Sequence, residues 1–332
     1  MMSTREVHLI NRPVGLPNDE CFDIVEVELP TPEDGQVSVQ NLFFSVDPYM
    51  RGRMRDVASY SPPYQLGTVM HGGAVGEVTA SEHDDFAVGD LVQSNLGWRE
   101  AYTTSASSLV KLPANVDMPS HYLGVLGMPG LTAYVGTLHI GQIREGDTFF
   151  VSGAAGAVGS VAGQIAKLKG CRVIGTAGSD DKCSWLTDHL GFDVAINYRD
   201  SDLVHSLSDA APDGVDVYFD NVGYEHLEAA IALMNEGGRI AACGSISGYN
   251  EEVHRPGPSN LSLIVGKRIN MRGFIVSDHS DLRSQFLSDM STWMSEGKIT
   301  TQETVVEGIE NAAEAFRGLF AGTNVGKMVV KL

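Results

Sequence analysis

The sequence predicts an α/β protein in which a doubly wound parallel sheet of six strands is joined to a separate β-rich domain. Three observations carry this. From residue 147 onward, short apolar runs alternate with helix-like stretches. The first run is joined to the first helix by a turn with glycines at three-residue spacing. Residues 6–110 break instead into short apolar or alternating segments separated by turn residues.

In chain order, the β-rich part is expected to contain strands near Phe22–Glu28, Gln36–Phe44, Ala74–Val78, Leu91–Gln93 and Tyr102–Thr104. The runs P-T-P-E-D-G (30–35) and V-G-D (88–90) supply turns between them. The pattern becomes helical from Leu123 to Ile140, with Pro129 and Gly130 near a helix start. Six strands then follow at 147–152, 171–176, 193–197, 215–220, 237–243 and 268–275. Helices are expected at 157–169, 180–190, 201–210, 224–234 and 280–296. Residues 300–332 are expected to return to short strands ending in Lys327–Leu332. The glycine turn opens in mid-chain, so a substrate domain precedes it and the tail rejoins that domain. This divides the chain into 1–124 with 297–332, and 125–296.

The stretch Asp147–Lys169 carries the most specific chemistry. An apolar run (Phe149, Phe150, Val151) meets Gly153, Gly156 and Gly159, and a helix comes next. A dinucleotide pyrophosphate needs this order of strand, turn and helix. Gly153 permits the turn, Gly156 lets backbone amides approach the phosphates, and Gly159 lets the helix pack close to its strand. Gly153, Ala155, Gly156, Ala157, Val158 and Gly159 are the candidate contacts. The alternative is a tight strand–helix turn with no ligand. The second strand favours the ligand: it ends at Ala177–Gly178 with no acid at its tip, where NAD-binding units carry one to hold the ribose. Ser179 and Lys182 lie just beyond, and Tyr198 and Arg199 follow the third strand. Neutral and basic groups there favour a 2′-phosphate, hence NADP(H) over NAD(H).

Composition excludes several classes. The net charge of −19, from 42 acidic against 23 basic residues, disfavours nucleic acid and anionic membranes as partners. The acids are dispersed, as on a solvated surface, and also fit adaptation to high salt. No apolar run reaches membrane-spanning length and no secretory leader is read, so a cytoplasmic location is expected. The four cysteines (21, 171, 183, 243) form no C-x-x-C pair, which suits a reducing compartment and argues against a zinc lobe.

Further motifs lie away from the glycine turn: S-V-D-P-Y-M-R-G-R-M (45–54), G-M-P-G-L-T-A-Y (127–134), Y-F-D-N-V-G (218–223), C-G-S-I-S-G-Y-N (243–250) and N-V-G-K (324–327). Together with the 147–182 unit, and in consistent order from about residue 40 to the end, they resemble the medium-chain dehydrogenase/reductase superfamily. More narrowly, they resemble its zinc-independent alkenal/one reductase branch, the leukotriene B4 12-hydroxydehydrogenase or prostaglandin reductase family. The resemblance implies a GroES-like catalytic domain, a Rossmann NADPH-binding domain, a homodimer, and NADPH-dependent reduction of α,β-unsaturated carbonyls. It implies that Tyr249, and secondarily Tyr49, are pocket tyrosines able to donate a proton or hold the substrate oxygen. It also implies that Asn221, Cys243, Gly244, Phe274, Val276 and Asn324 lie beside the cofactor. Packed tyrosines bonded to backbone would be the plain alternative for Tyr49 and Tyr249.

The zinc branch carries a cysteine in the early loop and a G-H-E-x-x-G segment. The corresponding stretches here are S-V-D-P-Y and H-G-G-A-V-G (71–76), with Gly72 and Gly73 at the His and Glu positions. No metal is expected. After F-I-V the chain continues Ser277, Asp278, His279, an acidic mouth that favours small or medium neutral enals and enones. A quinone reductase of the same fold and a non-catalytic NADPH-binding protein remain the competing readings.

Overall fold

The computed structural model describes residues 2–114, 116–253 and 255–332. The chain divides into two compact units: residues to Leu123 with Glu303–Asn324 and Met328–Leu332, and Gly124–Gln302 with Val325–Lys327.

The first unit contains β1 (Met2–Leu9), β2 (Phe22–Leu29), β3 (Gln36–Ser45), α1 (Tyr49–Arg53), β4 (Thr68–Val69), β5 (Ala74–Ser81), β6 (Leu91–Ser94), β7 (Ala101–Ser105) and β8 (Val110–Lys111). Its inner valines, Val37, Val39, Val78 and Val92, alternate along antiparallel strands and form one buried face. A second cluster gathers round the fully buried Trp98, with Phe44, Met50 and Phe316.

The second unit holds α2 (Met128–Tyr134), β9 (Thr148–Val151), α3 (Gly159–Leu168), β10 (Arg172–Ala177), α4 (Asp180–Leu190), β11 (Val194–Asn197), α5 (Leu203–Ala210), β12 (Val215–Asp220), α6 (Tyr224–Leu233), β13 (Met234–Ala242), α7 (Ser262–Lys267), β14 (Asn270–Gly273) and α8 (Arg283–Ser295). Its six strands are parallel in the order β11-β10-β9-β12-β13-β14. That is the doubly wound arrangement, and its order reverses between β9 and β12, where the crevice for a ligand lies. Successive residues of β9 feed opposite cores. Phe149 and Val151 pack with Val161, Ile165 and Phe286, whereas Phe150 packs with Ile174, Tyr218 and Ile231. The central strand β9, TFFV, is buried along its whole length and reads as an apolar run, whereas the edge strand β14, NMRG, is exposed.

The chain then returns to the first unit through β15 (Glu303–Glu307), α9 (Ala312–Ala321) and β16 (Lys327–Lys331). Three features differ from the sequence-based expectation. Residues 297–302 stay with the sheet-bearing unit, because Ile299 is buried in its core and the Thr300 amide donates to Gln164 Oε1 at 2.9 Å. The tail contains a helix as well as strands: Ala312, Ala315 and Phe316 share one buried face of α9. The expected helical stretch begins later, at Met128, and after α2 widens into a π turn over Val135–Ile140.

Candidate active site

The glycine loop behaves as its spacing demands. Gly153 has φ +60°, a left-handed conformation that favours glycine. A Cβ on Gly159 would lie 2.5 Å from the Gly153 carbonyl oxygen and 2.8 Å from Ala154 Cα, so only glycine lets α3 seat against the loop. Gly153, Gly156, Ala157 and Val158 are partly exposed while Ala155 is buried. The Ala155 carbonyl accepts the Gly326 amide at 2.8 Å, stapling the loop to the N-V-G-K segment. Asn324, which opens that segment, is grouped with the first unit. In the first turn of α3 the Ser160 and Ala162 amides donate to the Gly156 and Val158 carbonyls at 3.1 and 2.9 Å, and the helix N-terminus carries the partial positive charge that favours an anion.

Beyond β10 the predicted corner comes together. A Cβ on Gly178 would meet the Tyr198 hydroxyl at 3.2 Å and Arg199 Nε at 3.3 Å. Lys182 is half-buried, and burial, with the nearby Arg199 charge, lowers its pKa. One guanidinium and one phenol thus converge on Gly178, with the Lys182 charge near enough to feel Arg199. Ser179 serves the helix instead, because its hydroxyl accepts the Lys182 amide and caps α4. Asp180 accepts from Asn197 Nδ2 at 2.9 Å and so belongs to a separate polar contact. Beneath the corner, the buried His226 meets the Tyr198 ring edge-on, with centroids 5.0 Å apart. Burial pulls its pKa down to about 4, so it is neutral at physiological pH.

At the carboxyl end of β12 a buried polar knot ties the strand ends together. Asp220 Oδ1 accepts the Tyr218 hydroxyl (2.7 Å) and the amides of Val222 (3.0 Å) and Gly223 (2.7 Å). Its carbonyl accepts the amides of Cys243 (2.9 Å) and Gly244 (3.0 Å). Asn221 acts as a brace: its amide donates to Ser152 Oγ and its side-chain Nδ2 to the Ser152 carbonyl. The knot fixes Cys243 and Gly244 at the end of β13. Cys243 is no nucleophile here, because burial, and then the Asp220 charge, push its thiol up to about 12.

A cleft of about 880 Å³ opens at these strand ends, lined by Cys243, Gly244, Tyr249, Phe274 and Asp278 among others. The Tyr249 oxygen accepts the Ser245 amide at 3.3 Å, and a Cβ on Gly244 would come within 3.1 Å of it. Phe274 packs edge-on against Phe219. Gly136, on the π turn, leaves room for both rings: a Cβ there would lie 2.8 Å from Phe274 Cζ. Val276 starts a 3₁₀ segment and packs on the core. Tyr49 opens α1 in the first unit and packs against the Trp98 cluster; burial, then Asp47, raise its pKa well above the ordinary range. Ser152, Gly136 and His226 were not singled out in the sequence, and Asp220 only as part of Y-F-D-N-V-G, since each acts through a contact made only on folding.

Two family profiles match the chain, one described as the N-terminal domain of oxidoreductase over residues 5–112 and one as zinc-binding dehydrogenase over 157–292. It is 47% identical over 99% of its length, and 98% of the relative's, to a putative NADP-dependent oxidoreductase of Bacillus subtilis. It is 44% identical to the NADPH-dependent curcumin reductase of Escherichia coli, over 98% of this chain and 95% of that protein. Against the 2-alkenal reductase of Nicotiana tabacum it is 42% identical, covering 99% and 97%. The crystal structure of CurA from Vibrio vulnificus in complex with NADPH superposes with a TM-score of 0.95 at 44% identity, covering 98% of each chain.

The residues present do not fit the zinc of the second profile's description. His71 Nδ1 lies 3.2 Å from Arg99 Nη2, and desolvation, with the Arg99 charge, lowers its pKa. Gly72 and Gly73 provide no donor side chain, and a Cβ on Gly72 would strike Met50. Among the described residues no three His, Cys, Asp or Glu side chains are grouped to hold a metal ion. With this match over nearly its whole length, the chain belongs to the zinc-independent enone and alkenal reductase branch of the medium-chain dehydrogenase/reductase superfamily.

Proposed function

We propose that the protein reduces the C=C bond of α,β-unsaturated aldehydes and ketones, with NADPH as reductant. The observation that carries this reading is a phenol in the cleft at the carboxyl ends of β13 and β14, with its oxygen on a backbone amide. Relatives named for curcumin, prostaglandin and 2-alkenal reduction support it.

The residues fit NADP(H). Gly153–Gly159 would hold the pyrophosphate, while Lys182, Arg199 and Tyr198 at Gly178 would hold the 2′-phosphate. The backbone at Cys243 and Gly244, with Asn221, Phe274 and Val276, would flank the nicotinamide end. When bound, NADPH supplies a hydride, which in a conjugated carbonyl is accepted at the β-carbon.

The chain must then stabilise negative charge on the substrate oxygen and protonate the α-carbon. Tyr249 suits both roles. Its oxygen accepts the Ser245 N–H, a hydrogen bond that favours the charge left behind when the phenol gives up its proton. Tyr49 is the proposed second tyrosine of the reaction, and burial holds its proton firmly. The cleft's apolar walls, Leu227, Met271, Phe274 and Ile275, favour a substrate with an apolar body.

A homodimer in a reducing, cytoplasmic setting completes the proposal. All four residues of the edge strand β14 are exposed, leaving a ladder edge for a second copy, and the four cysteines are unpaired. No helix among the described residues is long and apolar enough to cross a membrane.

Tyr249→Phe tests the reading. NADPH oxidation with a 2-alkenal should lose roughly 10²–10³ in kcat with little change in the KM for NADPH. An unchanged kcat would remove Tyr249 as the acid.

A further inference from the structure

One side chain bordering the cleft is held where its residue type is rarely found. Tyr224, the first residue of α6, has φ +47°, directly after Gly223 at φ +76°. A bulky aromatic in the left-handed region is strained, and such strain persists only where surrounding contacts impose it.

The contacts are specific. The ring lies against Gly248, where a Cβ would come within 2.6 Å of Tyr224 Cε2 and 2.9 Å of its hydroxyl oxygen. The Arg255 guanidinium sits over the ring, 4.1 Å from its centroid. Arg255 in turn pairs with Glu225, beside Tyr224 on α6, and with Glu251, and reaches Ser247 Oγ at 3.4 Å. Ser247 Oγ also donates to the Val222 carbonyl at 2.7 Å. Ring, guanidinium and carboxylates therefore clasp the segment containing Ser247, Gly248, Tyr249 and Glu251 to the start of α6.

We propose that Tyr224 is a positioning residue: its strained placement fastens this segment and thereby holds the Tyr249 hydroxyl at the Ser245 amide. The proposal rests on Tyr249 serving as the acid of the reaction above. Glycine at 224 would adopt the same φ without strain, so removing the ring need not weaken the fold.

The test uses Tyr224→Gly and Tyr224→Phe in the full chain, each alone and combined with Tyr249→Phe. For Tyr224→Gly the thermal midpoint should hold or rise, while amide exchange across residues 245–253 accelerates about tenfold and β12 is unchanged. The kcat with a 2-alkenal should fall about tenfold to a hundredfold with the KM for NADPH unaltered. Tyr224→Phe, which keeps the ring, should match the parent. In the Tyr249→Phe background, Tyr224→Gly should cause no further loss. Unchanged exchange and kcat in Tyr224→Gly, or an equal loss in both backgrounds, would overturn the proposal. If Tyr249→Phe alone were fully active, the acid assignment would fail, and the exchange rates would still decide whether Tyr224 fastens the segment.

Discussion

His226 gives the protein a defined sensitivity to acid. It is 4% exposed, its Nε2 has no hydrogen-bond partner among the described residues, and burial pulls its pKa from about 6.5 down to about 4. Glu225 is the charge that opposes this, and the Tyr198 ring covers it from the next element. The folded pKa lies below the unfolded one, so stability is intact above about pH 6.5 and erodes as pH falls towards 4. The full difference of about 2.5 units corresponds to about 3 kcal/mol, of which about 2 kcal/mol is lost between pH 7 and pH 5. His226→Leu removes that titration without orphaning a hydrogen bond. Urea unfolding of both proteins at pH 7 and pH 5 measures it. The variant should be at least as stable at pH 7, and should lose about 2 kcal/mol less than the parent on acidification. Parallel losses would show that His226 is solvated or paired, and the reasoning from its burial would be wrong.

Three further outcomes are expected. Lys182→Ala should raise the KM for NADPH roughly tenfold to a hundredfold and leave NADH kinetics unchanged, since a charge-assisted contact to the 2′-phosphate contributes about 1.5–3 kcal/mol. Gly159→Ala should destabilise the fold by about 1–3 kcal/mol, read as a lowered denaturation midpoint, because the three nearest atoms the new methyl meets are all backbone. Asp220→Ala should cost about 3 kcal/mol or more in unfolding free energy, since it strips the acceptor from Tyr218, Val222 and Gly223 together.

The sheet-bearing unit was the more legible half of the sequence because its central strand is buried on both faces. The run Phe149–Val151 signals a strand by apolarity, and the glycine spacing locates the turn at the switch point. The tail was less legible. Ala312, Ala315 and Phe316 do carry helical spacing, but the short stretch lies among strand-like segments, and its helix is settled by packing against Trp98. The π turn after α2 reflects a close approach of Gly136 to two phenylalanines distant in sequence.

At the site, residue type named the partners better than their roles. Tyr198 and Arg199 do meet at Gly178, but Ser179 is used as a helix cap and Asn221 as a brace on Ser152. The backbone angle of Tyr224 and the burial of His226 are properties of the fold, and a tyrosine or a histidine alone does not signal them.

The most direct measurement tracks the hydride itself. NADPH carrying deuterium at the transferred position would be oxidised with a 2-alkenal and the product examined by NMR. The account predicts a saturated aldehyde with deuterium on the β-carbon. Deuterium on the carbonyl carbon of an allylic alcohol, or oxidation of NADPH only with quinones, would contradict it.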